Sequence, residues 1–228
     1  MKKGFTLAEI LITIGIIAIV VSMVLPTLIN NKQNKELEVG LKKNYSVLSQ
    51  ALDMYQAKNE ERLSSDFLIY HELKDILMSY MNVIVDCKFG TEADNSACIP
   101  QISNDPEKSS KVYKNFNASN YINLSFFDDG QFIISDGSLI LLQNSTSGGN
   151  IYISVDVNGY LKGPNRLGRD LFMFQLDNNG KLLPMGAKGS FYFSKTDAYC
   201  SKTSTNNMNG AGCTINALTD KNYFKNLP

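Results

Sequence analysis

MKKGFTLAEILITIGIIAIVVSMVLPTLIN, the stretch from Met1 to Asn30, sets the reading of everything after it. From Phe5 to Leu25 it is apolar apart from Thr6, Glu9, Thr13 and Ser22. At about 1.5 Å of rise per residue such a helix covers roughly 30 Å, the depth of a bilayer's hydrocarbon core. The run is too long for the apolar part of an ordinary secretory signal, and no small-residue cleavage site follows it, so it is expected to stay with the mature protein. Lys2 and Lys3 precede it and Lys32 and Lys35 follow it, so the flanking charges only weakly favour a cytoplasmic N-terminus.

Glu9 is the anomaly in this run. A carboxylate near the membrane interior costs on the order of 2.5–3.5 kcal/mol on insertion scales, so it needs a partner or a task. The plainer alternative is that it lies within a turn or two of the interface and reaches out to water.

The string Lys3-Gly4-Phe5-Thr6-Leu7-Ala8-Glu9, the unbroken apolar run after it and Pro26 at its close resemble the processing signal of the type IV pilin and type II secretion pseudopilin family. The resemblance covers roughly residues 1 to 30. It implies that a membrane-embedded prepilin peptidase cuts between Gly4 and Phe5 and methylates the new Phe5 amine, and that Glu9 is the assembly residue. The charges agree with that implication. Cutting after Gly4 leaves an ammonium four residues before Glu9, and a helix entering a bundle would bring its amine to the Glu9 of a neighbour. Two charges that are each costly in a low dielectric then satisfy one another.

Beyond Asn30 the sequence turns polar, yet Leu37, Leu41, Tyr45, Leu48, Leu52 and Tyr55 recur at intervals of three and four, predicting an amphipathic helix to about Asn59. Pro26 removes one backbone hydrogen bond and is a place for that helix to loosen. A second helix is predicted from Phe67 to about Met81. From Tyr121 the pattern becomes short β-like runs, Asn123–Phe127, Gln131–Ser135, Leu139–Gln143, Ile151–Val155 and Leu171–Leu176. Turn signals lie between them at Asp128-Asp129-Gly130, Asp136-Gly137, Gly148-Gly149 and Asn158-Gly159. The expected class is α+β: a long N-terminal helix, first membrane-spanning and then amphipathic, packed on a C-terminal antiparallel β-sheet head in the pilin-like manner. The expected divisions are a leader at 1–4, a transmembrane and assembly helix at 5–30, its amphipathic continuation at 31–60 and the head at 61–228.

Cys87, Cys98, Cys200 and Cys213 form two close-spaced couples around polar, turn-rich stretches. Sequential pairing is the preferred of three connectivities, each bridge worth roughly 3 kcal/mol in an unstrained loop. A zinc site is the rival, disfavoured because no CxxC spacing exists and His71, the sole histidine, lies far from both couples. Disulfides imply an oxidising compartment, for a bacterium the far side of the inner membrane.

The head offers two further motifs. Asp156-Val157-Asn158-Gly159-Tyr160-Leu161 opens like a calcium loop, but Leu161 and Leu167 occupy the positions where an EF-hand needs Gly and Glu. A looser oxygen cage from Asp156, Asn158, Asn165 and Asp170 is one reading, and members of the resembled family bind calcium in a head loop. A tight hairpin turn with Asp156 capping its own backbone is the other. The Gly163-Pro164-Asn165-Arg166-Leu167-Gly168-Arg169-Asp170 stretch reads as a solvated loop, with an Arg–Asp ion pair or partner contact as the alternative.

Composition narrows the function. Lys and Arg number 22, as do Asp and Glu, in a chain of 228 residues, and no basic stripe appears, which argues against nucleic acid as a partner. No serine elbow, P-loop, dinucleotide fingerprint or zinc-ligand pattern points to an enzyme. The resemblance implies a structural subunit of a type IV pilus or type II secretion pseudopilus. Its partners would be other pilin subunits, the prepilin peptidase and an inner-membrane assembly platform. It would be a single-pass inner-membrane protein with a periplasmic head, later part of a periplasmic pseudopilus or a surface pilus. The alternative is a minor tip pilin whose head binds a surface, DNA or a secreted substrate.

Overall fold

The computed structural model describes residues 4, 6–64, 71–103, 105, 107–144 and 149–228. Two compact units are distinguished, residues 1–36 and Leu37–Pro228.

In the first unit the long helix α1 (Leu7–Asn59) begins. It is long and apolar enough to cross a membrane, and none of its apolar window is buried. Leu7, Leu11, Ile14, Ile17 and Met23 all lie exposed. Its hydroxyls turn back on the helix: Thr13 Oγ1 donates to the Ile10 carbonyl at 2.9 Å and Ser22 Oγ to that of Ile19 at 2.8 Å. Polar side chains bonded this way add no unpaired donor to an apolar surface. Pro26 lies inside the helix.

In the second unit α1 buries Leu37, Leu41, Asn44, Leu48, Ala51 and Leu52, the stripe its three-and-four spacing predicts. Against it lies one six-stranded antiparallel sheet in the order β1 (Val83–Asp86), β2 (Gln131–Ile134), β3 (Leu139–Asn144), β4 (Ile151–Asp156), β5 (Leu171–Leu176) and β6 (Leu182–Pro184). Alternate side chains divide two cores. Phe132, Ile140, Ile153, Phe172 and Phe174 join the α1 stripe, and the Tyr45 ring stacks on Phe174 at 5.6 Å. Ile133, Leu139, Leu141, Tyr152 and Met173 point the other way, into a core roofed by the loops around both cysteine couples. Because both faces are covered, β2, β4 and β5 are buried throughout and read in sequence as near-continuous apolar runs.

The sheet is fixed to α1 by small and polar groups at one end. Asn44 Nδ2 donates to Ser138 Oγ at 2.9 Å, Ser138 Oγ donates to the Val157 carbonyl at 3.1 Å, and Lys43 pairs with Asp136 at 2.9 Å. Gly40 lets Val157 approach, since a Cβ there would lie 3.2 Å from the Val157 Cβ. The helix α2 (Glu72–Tyr80) adds Leu73 and Leu77 to the core that α1 lines, and its buried Lys74 reaches both Asp86 carboxylate oxygens at 2.8 and 2.9 Å.

Several expectations need correction. The second helix starts at Glu72, after His71 in a left-handed conformation, and the predicted turn Phe67–Tyr70 lies outside the described residues. Leu124–Phe126 is a short 3₁₀ helix in place of the expected strand over 123–127, because the Asn123 side chain accepts the Ser125 N–H and turns the backbone there. Asn158-Gly159 does not close a tight hairpin: β4 pairs with β5 in the register Asp156 to Leu171, leaving a long intervening loop. The Gly148 half of the Gly148-Gly149 turn lies outside the described residues.

Candidate functional site

The N-terminal site is built on the start of α1. Thr6 precedes the first helical residue, and Glu9 stands one turn in, where its carboxylate returns to the free end. The Thr6 backbone N–H and the Thr6 hydroxyl each donate to one Glu9 carboxylate oxygen at 2.8 Å, and the Glu9 N–H donates to Thr6 Oγ1 at 3.3 Å. This is a capping box, in which two residues three apart satisfy each other's open groups at a helix start. The negative carboxylate also sits at the positive end of the helix dipole. Thr6 went unsingled in the sequence, though Thr-x-x-Glu ahead of an apolar run is its signature. Gly4 has nothing within 4 Å of where a Cβ would project, so there is open space on that side of its backbone. Phe5, the expected methylation residue, lies outside the described residues.

The second site lies in the loop between β4 and β5. Asp156 at the end of β4 is wholly buried and caps its own turn, one oxygen accepting from the Asn158 N–H at 3.2 Å and the Gly159 N–H at 3.0 Å. Its other oxygen accepts from the Tyr113 hydroxyl at 2.5 Å. Asp170, also wholly buried, accepts from the backbone N–H groups of Asn165 and Arg166 at 2.6 Å each. Burial raises the pKa of both carboxyls above the ordinary range, and the charge of Asp170 raises that of Asp156 further. The structure therefore brings Asp156 and Asp170 together electrostatically. Asn158 and Asn165 join them through the loop backbone: their amide nitrogens donate to the Lys162 and Gly163 carbonyls and to the Tyr160 carbonyl respectively. Tyr113, which no local pattern marked, belongs to this cluster from 43 positions away.

The Arg166–Asp170 expectation is corrected here. Asp170 is no surface ion-pair partner, because its carboxylate is turned inward onto backbone amides. The Arg166 guanidinium goes elsewhere, donating to the carbonyls of Phe116 and Pro228.

Hard oxygen donors of the kind calcium takes are present in this loop. Asn158 Oδ1 and Asn165 Oδ1 are buried amide oxygens with no hydrogen-bond partner among the described residues, whereas the carboxylate oxygens of Asp156 and Asp170 already accept N–H and O–H donors. Among the described residues no three His, Cys, Asp or Glu side chains gather to hold a metal, so any cation there would draw on amide and carbonyl oxygens as well. Zinc has no ligands in the cysteines, since Cys87 is bonded to Cys98 and Cys200 to Cys213, with Cα–Cα separations of 5.5 and 4.9 Å.

Comparison with known proteins bears on the N-terminal site. The model of the prokaryotic N-terminal methylation motif matches residues 1–25. The type II secretion system core protein G of Escherichia coli (strain K12) is 38% identical over 58 residues, 25% of this chain and 39% of that protein. The protein of the same name from Pectobacterium carotovorum subsp. carotovorum is 35% identical over 65 residues, 28% of this chain and 41% of its own length. The chain thus spans about two fifths of the length of these curated relatives. No solved structure matches it. The N-terminal segment of this chain thus carries the prokaryotic N-terminal methylation motif and is similar to the matching segment of the type II secretion system core protein G, ahead of an exposed apolar helix and an α+β fold.

Proposed function

We propose that this chain is a structural filament subunit of a type IV pilus or type II secretion pseudopilus. A prepilin peptidase cuts between Gly4 and Phe5 and methylates the Phe5 amine, and an inner-membrane platform then assembles the subunit through α1. Before assembly it is held in the inner membrane by residues 5–30, with the globular part in the periplasm, where the two disulfides are stable. The observation that carries this reading is Glu9, a lone acid in an exposed apolar run within the residues that the methylation motif matches. A carboxylate so placed is costly beside lipid and is stabilised by an ammonium arriving from a neighbour. The role is mechanical, and no catalytic step is assigned to any residue. Replacing Glu9 with Ala tests it: the subunit is expected to remain in the membrane fraction and vanish from sheared filaments. Wild-type filament yield from that variant would refute the reading.

A second proposal concerns Asp156, Asn158, Asn165 and Asp170, favoured by the two orphaned amide oxygens. These residues would hold a calcium ion, which when bound supplies the positive charge that the buried carboxylate pair lacks. The chain's own part is to fix the loop between β4 and β5 against α1, where Val157 meets Gly40.

A further inference from the structure

An open cleft of about 200 Å³ lies on the second unit, and none of its lining residues belongs to α1 or to the β4–β5 loop. Its floor is apolar, made by Ile122 and Leu124, both buried. Tyr121 lines it and is 45% exposed, and the Lys114 ammonium lies over one side of its ring, 5.5 Å from the centroid. Asn123, Asn207 and Lys111 stand among its polar groups, and Lys111 is the charged side chain of the lining among the described residues.

The cleft is framed by rigid pieces. The Ile122 N–H donates to the Tyr113 carbonyl at 3.1 Å, and Lys114 bridges to Tyr121 across a narrow turn. The loop that carries Asn207 is closed by Cys200–Cys213. It is tied to the turn by Asn115 Nδ2 on the Asn206 carbonyl at 2.9 Å and Asn120 Nδ2 on the Thr205 carbonyl at 2.6 Å. Asn123 uses its oxygen on the Ser125 N–H at 3.1 Å, which leaves its two amide hydrogens for a ligand. A site built in this way does not have to be ordered when something binds.

The lining selects a chemical class. The volume is below the ~300–1,000 Å³ of pockets for drug-sized molecules, so one small ring fits. A purely apolar ligand would leave the amides unpaired at a cost of about 1–3 kcal/mol each. A phosphate or a nucleic-acid strand calls for several cations aimed at one point, and the lining holds Lys111, with Lys114 lying over the Tyr121 ring. A pyranose has what the cleft lacks: a face of C–H groups to lie on a tyrosine ring, whose face is electron-rich, and a rim of hydroxyls for amides and hydroxyls to bond. We propose that this cleft binds one ring of an acidic polysaccharide, with Tyr121 beneath the ring, Asn123 and Asn207 on its hydroxyls and Lys111 on its carboxylate.

Saturation-transfer NMR on the full chain, in a detergent without a sugar headgroup, tests the proposal with D-glucuronate and D-glucose as probes. Both are expected to receive saturation, glucuronate the more strongly. Asn207→Ala and Tyr121→Ala should each weaken binding of both sugars about tenfold, equivalent to ~1.4 kcal/mol. Lys111→Ala should bring glucuronate down to the level of glucose, and Tyr121→Phe should bind both as before. Asn207 lies exposed on its loop, so its variant reads the site even if Tyr121→Ala unfolds. No saturation of either sugar by the wild-type chain would overturn the proposal, as would full binding by Asn207→Ala. Equal preference before and after Lys111→Ala would overturn the acidic specificity.

Discussion

Thr6 and Glu9 close on each other at the start of α1, both Thr6 donors meeting one Glu9 carboxylate oxygen at 2.8 Å. The carboxylate that the assembly role needs is therefore also the cap of its own helix. A glutamine at position 9 keeps an oxygen for the Thr6 donors and removes the charge. Glu9→Gln is expected to leave the helix and membrane insertion intact and to abolish filaments recovered by shearing. Capping is worth about 1 kcal/mol, too little to explain a complete loss of assembly, so a Gln variant that assembled normally would assign Glu9 to capping alone.

The buried acids make the second unit sensitive to pH. Burial, then the charge of Asp170, raises the Asp156 pKa to about 7. Burial, then Asp129, raises that of Asp128 to about 6. Both folded values lie above the ~3.9 of an unfolded aspartate, so the folded state holds the proton more tightly. The stability they contribute is fully present below about pH 4 and is lost as pH rises through about 6 to 7. Urea midpoints of the second unit, followed by near-UV circular dichroism, should fall between pH 5 and pH 8. Asp156→Asn should flatten that fall. A midpoint that rises over the same range in the wild type would contradict the assignment.

Calcium should act against that loss. If Asp156, Asn158, Asn165 and Asp170 hold the ion, calcium at pH 8 raises the urea midpoint, the unfolding free energy growing by about 2.7 kcal/mol at a hundredfold excess over its dissociation constant. Magnesium should do less, because it sheds its waters reluctantly. Asp170→Asn should remove the effect. Isothermal titration with no heat, together with an unmoved midpoint, would end the calcium reading.

Backbone packing between the β4–β5 loop and the second disulfide loop gives a sharper stability prediction. Gly210 has φ +115°, and a Cβ there would lie 2.1 Å from the Leu167 carbonyl oxygen. Gly210→Ala has to move that backbone, and a loss above about 3 kcal/mol is expected from strain and lost packing. Gly163→Ala in the same β4–β5 loop, where the nearest atom would be 3.8 Å away, should change the urea midpoint little. Equal midpoints for the two variants would show that the loops do not pack as described.

The parts legible in sequence were those whose signal is local and repeated. The α1 stripe from Leu37 to Leu52 and the runs that became β2 to β5 announce themselves by spacing and apolarity. Val83–Asp86 and Leu182–Pro184 are short edge strands, the latter ending in a proline, and too brief for any period to show. Leu124–Phe126 is as apolar as a strand, and one Asn123 hydrogen bond made it a 3₁₀ turn. Asp156 and Asp170 were visible as residues, but their mutual burial depends on the β4–β5 register. Tyr113 reaches them only through the tertiary fold, and no window of sequence contains that contact. The Thr6–Glu9 box was local and readable, hidden only by attention to the charge of Glu9.

The mass of the mature subunit purified from cells with an active prepilin peptidase bears most directly on the filament reading. The expected polypeptide lacks residues 1–4, starts at Phe5 and is one methyl group heavier on its terminal amine. A polypeptide that still begins at Met1 in those cells would contradict it, since no new ammonium would then exist to meet the Glu9 of a neighbour.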